Sequence, residues 1–397
     1  MNSPHRMPSG QSTSAIPFAE KSASIPAFTH IRAWEKLRDE IQGAMLRVMT
    51  SGSLILGPEV NAFEEEFARF VGAEHGIGTA SGTDALIVAL RALGVNTNDE
   101  VLTVANGPVA PIAAIRSVGA YPRFVDIDPV TLQMSVIDLR KSISRRTRCI
   151  IPIHLYGQAA PIREILEIAD SFGVPVIEDC AQAHGTRVFG QHMGSFGRIG
   201  CFSFYPTKNL GAFGDAGLCV TNDTALAQRI REVGLYGFRG RERIAFRDGH
   251  NARLDELQAA FLRIRLKYLP DDLVRRQLIA CRYRRGLESL PMSLPVVVPE
   301  SEPSWHQFVL RTPRRDELCH YLSSHGIESG IHYKHPVHCM PAFKKFSYSE
   351  GSLPHTEQAC RDVISLPMFP ELLDEEIDRV VSACKAFGQE KILHESL

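Results

Sequence analysis

The sequence predicts an α/β protein with a large domain, built from a mostly parallel sheet between helices, and a smaller C-terminal α+β domain. From Gly72 onward, short Val/Ile-rich runs alternate with segments of helical periodicity. Such apolar runs, separated by helices, are typical of a parallel sheet covered on both faces. Beyond Thr221 the alternation ends, and a long amphipathic helix and a Pro-rich connector follow. These two patterns together predict the division into a large and a small domain.

The elements of the large domain follow one another in a regular order. Leu86, Leu90 and Leu93 recur at helical spacing, and Gly94 stands where that helix would end. The next segments predict alternating strands and helices: DEVLTVAN, APIAAIRSVG, AYPRFVDID, SVIDLRKSISRR, RCIIPIHLYG, PIREILEIADSFG and VPVIEDC. Ligands of such sheets bind at the carboxyl ends of the strands, so residues at those ends are the candidates for function.

The C-terminal part has a different organisation. The segment RLDELQAAFLRIRLKYL predicts an amphipathic helix, and a second helix is predicted after it, to about Leu290. A Pro-rich connector and further short strands and helices complete the chain. We predict a flexible tail over residues 1–24, a large domain over 25–275 and a small domain over 276–397.

Composition and charge exclude several classes of function. The formal net charge of −1 gives no strong field for nucleic acid or an anionic membrane surface. The nine cysteines are dispersed without CxxC spacing, which favours a reducing compartment and argues against a zinc site. No apolar run is long enough to span a bilayer, and the N-terminus lacks the apolar core of a signal peptide. We therefore expect a cytoplasmic protein without a metal centre.

Asp179 ends the predicted strand VPVIED and should point toward the ligand face of the sheet. A carboxylate in an apolar setting is costly unless it meets a cation or a donor. A helix cap or a salt bridge would explain Asp179 equally well. Metal ligation is less favoured, because only His184 and Glu178 lie nearby and Glu178 should face the opposite way.

Lys208 lies just past another predicted strand, in the segment GCFSFYPTKNLGAFGDAG. A lone lysine in such a position is usually a solvated loop residue. Here apolar residues precede it and glycines follow, which predicts a tight backbone and a partly buried amine. Burial lowers the pKa of an ammonium group and frees the amine as a nucleophile. A buried lysine amine with a carboxylate across the site is the pair that a pyridoxal phosphate enzyme needs.

The segment ASGTDAL offers a site for the phosphate of such a cofactor. Gly82 and Thr83 open a predicted helix, whose free N–H groups favour an anion. Ser203 can add a hydroxyl donor from the strand before Lys208. An ordinary N-cap is the alternative for Ser81 or Thr83.

From about Ile25 to its end, the chain resembles the DegT/StrS-type family of pyridoxal-phosphate-dependent sugar aminotransferases. The resemblance is carried by stretches that occur in the family's order: GPEVNAFEEEFARFVG, ASGTDAL, FVDIDP, IPIHLYGQ, VIEDCAQAHG, FSFYPTKNLGAFGDAG, GHNARLDELQAAFLRIRL, IHYKHPVH and ISLPMFPEL. It implies the aspartate-aminotransferase-like fold of pyridoxal-phosphate-dependent transferases and pyridoxal 5′-phosphate as the cofactor.

The resemblance also implies roles for residues that contact the cofactor. Lys208 would bind it covalently and move a proton between the substrate carbon and the cofactor. Asp179 would pair with the ring nitrogen, and Gln182 would form a hydrogen bond with the 3-oxygen of the ring. The phosphate would be held by Gly82, Thr83 and Ser203.

The family's active site is completed by a second subunit, which implies a homodimer. Asn251 would reach the phosphate bound in the partner subunit. Its position also fits an N-cap of the following helix, and the two roles are compatible. His332, Tyr333 and His338 would lie at the substrate mouth, with a structural histidine as the alternative for each His.

Two positions depart from the family's pattern. Pro108 stands where an aromatic residue usually covers the cofactor ring, and Lys334 replaces a usual proline. The cation of Lys334 could meet the diphosphate of a substrate or could simply be solvated.

The resemblance implies transfer of an amino group, from L-glutamate, to a keto group of a nucleotide-linked deoxysugar. A keto-cyclitol acceptor of aminoglycoside biosynthesis is the alternative within the fold. A non-enzymatic regulatory relative is the alternative of another class, although such a relative would be expected to lose Lys208 or Asp179.

Overall fold

The computed structural model describes residues 24–240, 242–346 and 348–394. The predicted tail therefore lies outside the described residues, except for Ser24. The helices are α1 (Ile31–Ser51), α2 (Pro58–Val71), α3 (Gly82–Ala92), α4 (Ala110–Ser117), α5 (Val136–Ser142), α6 (Ile162–Ser171), α7 (Thr224–Gly234), α8 (Glu256–Leu287), α9 (Arg315–Ser324), α10 (Pro354–Asp362) and α11 (Asp374–His394). Short 3-10 helices cover Leu155–Gly157, Val337–Cys339 and Pro341–Phe346.

The strands fall into a main sheet and several small pairings. They are β1 (His75–Thr79), β2 (Glu100–Val104), β3 (Tyr121–Val125), β4 (Thr147–Ile151), β5 (Ile177–Asp179), β6 (Arg187–Val188), β7 (Gln191–His192), β8 (Ile199–Ser203), β9 (Gly217–Thr221), β10 (Phe238–Arg239), β11 (Ile244–Ala245), β12 (Ser301–Glu302), β13 (Phe308–Arg311) and β14 (Val363–Leu366).

The main sheet has the strand order β1-β9-β8-β5-β4-β2-β3. Hydrogen-bonded ladders form β1-β9-β8-β5 and β4-β2-β3, and parallel bridges at Ile150–Val176 and Ile153–Asp179 join the two parts. Only β9 runs antiparallel to its neighbours. The predicted mostly parallel sheet is confirmed, and β1, β5 and β8 all end at the same edge.

Two apolar cores cover the two faces of this sheet. Leu102 and Ile150 point into one core, while their chain neighbours Val101 and Ile151 point into the other. Alternate side chains of a strand project to opposite faces, so all positions on β2 and all but Arg148 on β4 are buried, and the runs are largely apolar.

The small domain is built on the antiparallel pair β13–β14. Its core contains Phe308, Leu318 and Ile364, together with Tyr283 from the C-terminal half of α8. The predicted α+β character of this part is confirmed. Ile25 also lies in this core and pairs with Ile327, although the predicted boundaries assign residue 25 to the large domain.

Helix α8 runs through the predicted boundary at 275/276 without interruption. The prediction of two successive helices in this region is wrong, because α8 is one helix of 32 residues that contains Pro270. Near its start, the Glu256 carboxylate accepts the backbone N–H groups of Gly57, Glu59 and Val60 and so caps α2. The far half of α8 packs in the small domain.

Within the described ranges, none of the helices combines the length and apolar character that crossing a membrane would require.

Candidate active site

The backbone around Lys208 is a tight turn after β8. The Lys208 N–H donates to the Tyr205 carbonyl at 2.8 Å, and the Ala212 N–H donates to the Phe204 carbonyl at 2.7 Å. A Cβ on Gly211 would collide with the Pro206 carbonyl, so this position requires glycine. The predicted tight backbone is therefore present, and the Lys208 side chain is partly buried.

Asp179 and Lys208 lie close enough to influence each other's charge. Asp179 ends β5, beside β8, and is 3% exposed. Burial raises the pKa of this carboxyl. Two effects oppose the rise: the Ala181 N–H donates to the carboxylate at 3.0 Å, and the nearby Lys208 amine attracts its negative charge. Burial lowers the pKa of the Lys208 amine to about 8, against the attraction of Asp179. A sizeable neutral fraction of this amine exists near neutral pH.

Glu178 points to the opposite side of β5, as the alternation of a strand predicts. Its carboxylate accepts the N–H groups of Gly194, Phe196 and Gly197 at 2.7–2.9 Å, and the His154 ring at 3.0 Å. Glu178 thus anchors a loop and a histidine, whereas Asp179 has no ion-pair partner among the described residues. Asp179 is therefore the carboxylate available to a ligand.

Among the described residues, two groups of side chains have metal-ligand chemistry, but hydrogen bonds account for both. His154 and Glu178 lie within 4.8 Å of Cys180, and the carboxylate oxygens of Glu178 already accept four donors. The second group is His338, Cys339 and Glu357. There the Glu357 carboxylate accepts the N–H groups of residues 351 and 353 and pairs with His338.

The N-terminus of α3 forms the candidate phosphate site. The Ser81 hydroxyl accepts the Asp84 N–H at 3.0 Å, which makes Ser81 the N-cap. Gly82 touches the end of β8, since a Cβ on Gly82 would lie 2.5 Å from the Cβ of Ser203. The structure therefore brings together a helix N-terminus, the Ser203 hydroxyl and Thr83. Free N–H groups and hydroxyls fit the phosphate of pyridoxal phosphate.

Gln182 has a fixed orientation beside Asp179. Its Oε1 accepts the Tyr156 N–H at 2.6 Å, which leaves Nε2 to donate to the Tyr333 hydroxyl at 3.1 Å. The Tyr156 hydroxyl donates to the His332 carbonyl at 2.5 Å. Burial raises the pKa of Tyr333 to about 12, so its hydroxyl keeps its proton. The second N–H of Gln182 suits a bond to a ring oxygen, as the resemblance implies.

His332 and His338 have different surroundings. The His332 Nδ1 lies 2.8 Å from the Ser365 hydroxyl, and burial, with the nearby Lys208 amine, lowers its pKa to about 4. His338 is fully buried, 3.1 Å from Glu357, with its ring against Phe124. His332 therefore lies near Lys208, whereas His338 has the contacts of a structural histidine, the alternative that the sequence left open.

Asn251 is exposed and lies in a short bridge to Leu235, before α8. The alternative that it caps α8 is wrong, because α8 begins at Glu256 with Asp255 in the N-cap position. Its role toward a partner subunit stays a prediction.

Two histidines near Lys208 were not predicted as residues of the cofactor or substrate site. Buried His306 and His184 are both close enough for the Lys208 amine to lower their pKa further. His306 pairs with Asn209 at 3.2 Å, and His184 packs among phenylalanine rings. A cavity of about 260 Å³ lies beside this cluster and includes Thr207, His306 and His332 in its walls. These residues come from distant parts of the chain, so no local sequence motif predicts that they lie together.

Comparison with known proteins gives a consistent result. Residues 35–385 match the family described as the DegT/DnrJ/EryC1/StrS aminotransferase family. The chain is 41% identical over 384 residues to dTDP-3-amino-3,4,6-trideoxy-alpha-D-glucose transaminase of Streptomyces venezuelae, covering 96% of this chain and 99% of the relative. It is 42% identical over 353 residues to dTDP-3-amino-3,6-dideoxy-alpha-D-galactopyranose transaminase of Aneurinibacillus thermoaerophilus, covering 89% and 96%.

Solved structures agree with this. The crystal structure of S. venezuelae DesV in complex with a ketimine intermediate superposes with a TM-score of 0.90 at 42% identity, covering 92% of this chain and 98% of that one. The structure of NtdA from Bacillus subtilis with bound cofactor PMP superposes with a TM-score of 0.87 at 29% identity, covering 93% and 86%.

Proposed function

Because the chain belongs to the DegT/DnrJ/EryC1/StrS aminotransferase family, we propose that it uses pyridoxal 5′-phosphate to transfer an amino group from L-glutamate to a keto group of a nucleotide-linked deoxysugar. The observation that carries the proposal is that partly buried Lys208 and buried Asp179 lie near each other at the carboxyl edge of the sheet. The sugar class is supported by the relatives, two of which are named for dTDP-linked amino sugars.

When bound, pyridoxal phosphate supplies a conjugated ring that withdraws electrons from the substrate carbon. Asp179 would hold a proton on the ring nitrogen, which its carboxylate can do because no cation of the described residues pairs with it. Gln182 would donate from Nε2 to the ring oxygen. Gly82, Thr83 and Ser203 would bind the phosphate at the N-terminus of α3.

Lys208 would be both nucleophile and proton carrier. With a pKa of about 8, about a tenth of its amines are neutral at pH 7, far more than for an exposed lysine. The same amine can take a proton from one carbon and return it to another, because burial leaves its charged and neutral forms close in free energy.

The protein would act as a homodimer, with Asn251 reaching the phosphate in the partner subunit. Exposure of the Asn251 side chain supports this role. His332 and Tyr333 would border the substrate, while the buried pairing of His338 with Glu357 supports a structural role for that residue. We also propose a cytoplasmic location, supported by nine cysteines without a disulfide.

The direct test starts from purified protein with added pyridoxal phosphate. Wild type should retain the cofactor after borohydride reduction, and Lys208→Ala should not. Asp179→Asn should bind the cofactor but lose most turnover, because an amide does not hold the ring nitrogen protonated. Lys141→Ala changes an exposed lysine in the last turn of α5 and is the matched control. A fully active Lys208→Ala protein would overturn the proposal.

A substrate panel tests the acceptor class. With L-glutamate as donor, dTDP- and UDP-linked keto-deoxysugars are compared with keto-cyclitols, and the amine product is measured by mass spectrometry. Exclusive amination of cyclitols would replace the proposed substrate but leave the aminotransferase. If the protein binds no cofactor at all, a regulatory role would be favoured. One relative, from Geobacillus stearothermophilus, is named "Pleiotropic regulatory protein".

A further inference from the structure

Asn209 directly follows Lys208, and its side chain is almost completely buried. The Nδ2 group donates to the Ser304 carbonyl at 3.0 Å, and Oδ1 lies 3.2 Å from the Nδ1 of His306. Both ends of the amide therefore contact the segment 304–307, which leads from the Pro-rich connector into β13. These bonds fasten the lysine-bearing turn to a different part of the chain.

The pairing also fixes the proton on His306. A carbonyl only accepts hydrogen bonds, so the Asn209 amide must present its N–H to Ser304 and its oxygen to His306. The His306 Nδ1 must then carry the proton, which leaves Nε2 as an acceptor. Burial, with help from the Lys208 amine, lowers the pKa of His306 well below its ordinary value and keeps the ring neutral. A neutral ring adds no repulsion to a protonated lysine nearby.

The segment 304–307 is itself rigidly held. The Ser304 N–H donates to the Gly157 carbonyl at 2.9 Å, and the Ser304 and Thr186 hydroxyls lie 2.9 Å apart. From the other side, the buried Arg276 guanidinium of α8 donates to the Trp305 carbonyl at 3.0 Å and to the Met368 carbonyl at 3.0 Å. Fully buried donors and acceptors that are paired in this way resist displacement, because each broken bond leaves an unsatisfied polar group.

The same segment also reaches Gln182. The Gln307 N–H donates to the Tyr156 carbonyl at 3.2 Å, and the Tyr156 N–H donates to Gln182 Oε1 at 2.6 Å. The turn of Lys208 and the amide of Gln182 are thus fixed by one continuous set of hydrogen bonds. Their separation is set by segment 304–307 rather than by either loop alone.

We propose that Asn209 and His306 are positioning residues for Lys208: they hold the lysine-bearing turn against segment 304–307, so that the amine stays in its water-poor position facing Asp179. This assignment rests on the proposed function only in one respect, namely that the Lys208 amine serves to bind the cofactor. The state of the amine itself can be measured in cofactor-free protein. Loss of either partner should let the turn loosen and admit water around the amine.

The test compares four variants in cofactor-free protein. Asn209→Ala and His306→Ala each break the pairing. His306→Asn is the conservative variant, because an asparagine amide can place an N–H where Nδ1 lies. Tyr283→Phe is the control: it removes one buried hydrogen bond, to the Pro367 carbonyl at 2.9 Å, within the small-domain core. The pKa of Lys208 is read from the pH dependence of its acetylation by acetic anhydride, followed by peptide mass spectrometry.

We expect the Lys208 pKa to rise from about 8 toward 10.5 in the two alanine variants. The rate at which added pyridoxal phosphate reacts with the protein at neutral pH should then fall by up to about 300-fold, the ratio of the neutral amine fractions at the two pKa values. His306→Asn should restore most of both quantities. Tyr283→Phe should lower the melting temperature and leave the Lys208 pKa unchanged.

Two results would overturn the inference. In one, the alanine variants melt earlier but keep the wild-type Lys208 pKa and reaction rate, so that the pairing is structural only. In the other, His306→Asn behaves like His306→Ala, so that the donor at Nδ1 is irrelevant. Failure of the proposed function would look different, because wild-type protein would then retain no cofactor whatever the state of Asn209.

Discussion

Replacing Lys208 by methionine should make the cofactor-free protein more stable at neutral pH. The amine has a pKa of about 8 in the folded protein against 10.5 when exposed, a difference of roughly 2.5 units, which corresponds to about 3 kcal/mol of unfolding free energy. Methionine keeps the length of the side chain and removes the charge. The loss of attraction between the ammonium and Asp179 is already part of this figure, because the pKa of about 8 reflects both burial and that attraction.

The pH dependence of the unfolding free energy provides a second test of whether the buried ammonium destabilises the wild-type protein. Below pH 8 both folded and unfolded chains carry the proton, so the full cost of the buried charge is present. Between about pH 8 and 10.5 only the unfolded chain binds the proton, and wild-type stability should rise with pH. The Lys208→Met protein should lack this rise, so the difference between the two curves should close above pH 10.5.

Urea unfolding at a fixed protein concentration measures both quantities, with Lys334→Met as the control for an exposed lysine. Other titrating groups cancel in the difference between the curves. The reasoning is refuted if Lys208→Met is less stable than wild type at pH 7, or if the difference between them is constant from pH 7 to 10.5.

Three further expectations concern neighbouring positions. Glu178→Gln should lower the unfolding free energy by about 2–4 kcal/mol, because backbone N–H groups lose a carboxylate acceptor, as thermal unfolding would show. His184→Phe should raise it by about 1–3 kcal/mol, since neither ring nitrogen of this buried histidine has a hydrogen bond of ordinary geometry among the described residues; equal or lower stability would contradict this. Gly82→Ala should weaken binding of pyridoxal phosphate at least tenfold in a fluorescence titration, because the added Cβ would press on Ser203. Gly43→Ala, in the open surface of α1, should leave that binding unchanged.

The strand-based features of the site could be predicted from the sequence. Alternating β and α segments imply a parallel sheet, and a parallel sheet places Asp179 and Ser203 at one edge. The period of two along a strand also separates Asp179 from Glu178, and the structure shows them on opposite sides. These inferences succeed because they depend only on residues that are close together in the chain.

Contacts between distant segments could not be predicted in the same way. His306 and Asn209 are 97 residues apart, and no local pattern pairs them. The chemistry of His338 is decided by Glu357, which no motif connects to it. The expected break between two helices is absent, because packing of α8 against both domains outweighs the local cost of Pro270.

Helix α8 limits how members of this family can be recombined. Its first turn caps α2 through Glu256, and Arg276 further along fixes segment 304–307 beside Lys208. In a chimaera joined at residue 275, Glu256, which caps α2, would come from one parent, and Arg276, which holds segment 304–307, would come from the other. A graft of the small domain intended to exchange substrate preference should therefore carry α8 whole, with its junction in the exposed segment 242–248, so that the anchor of the lysine turn comes from one parent.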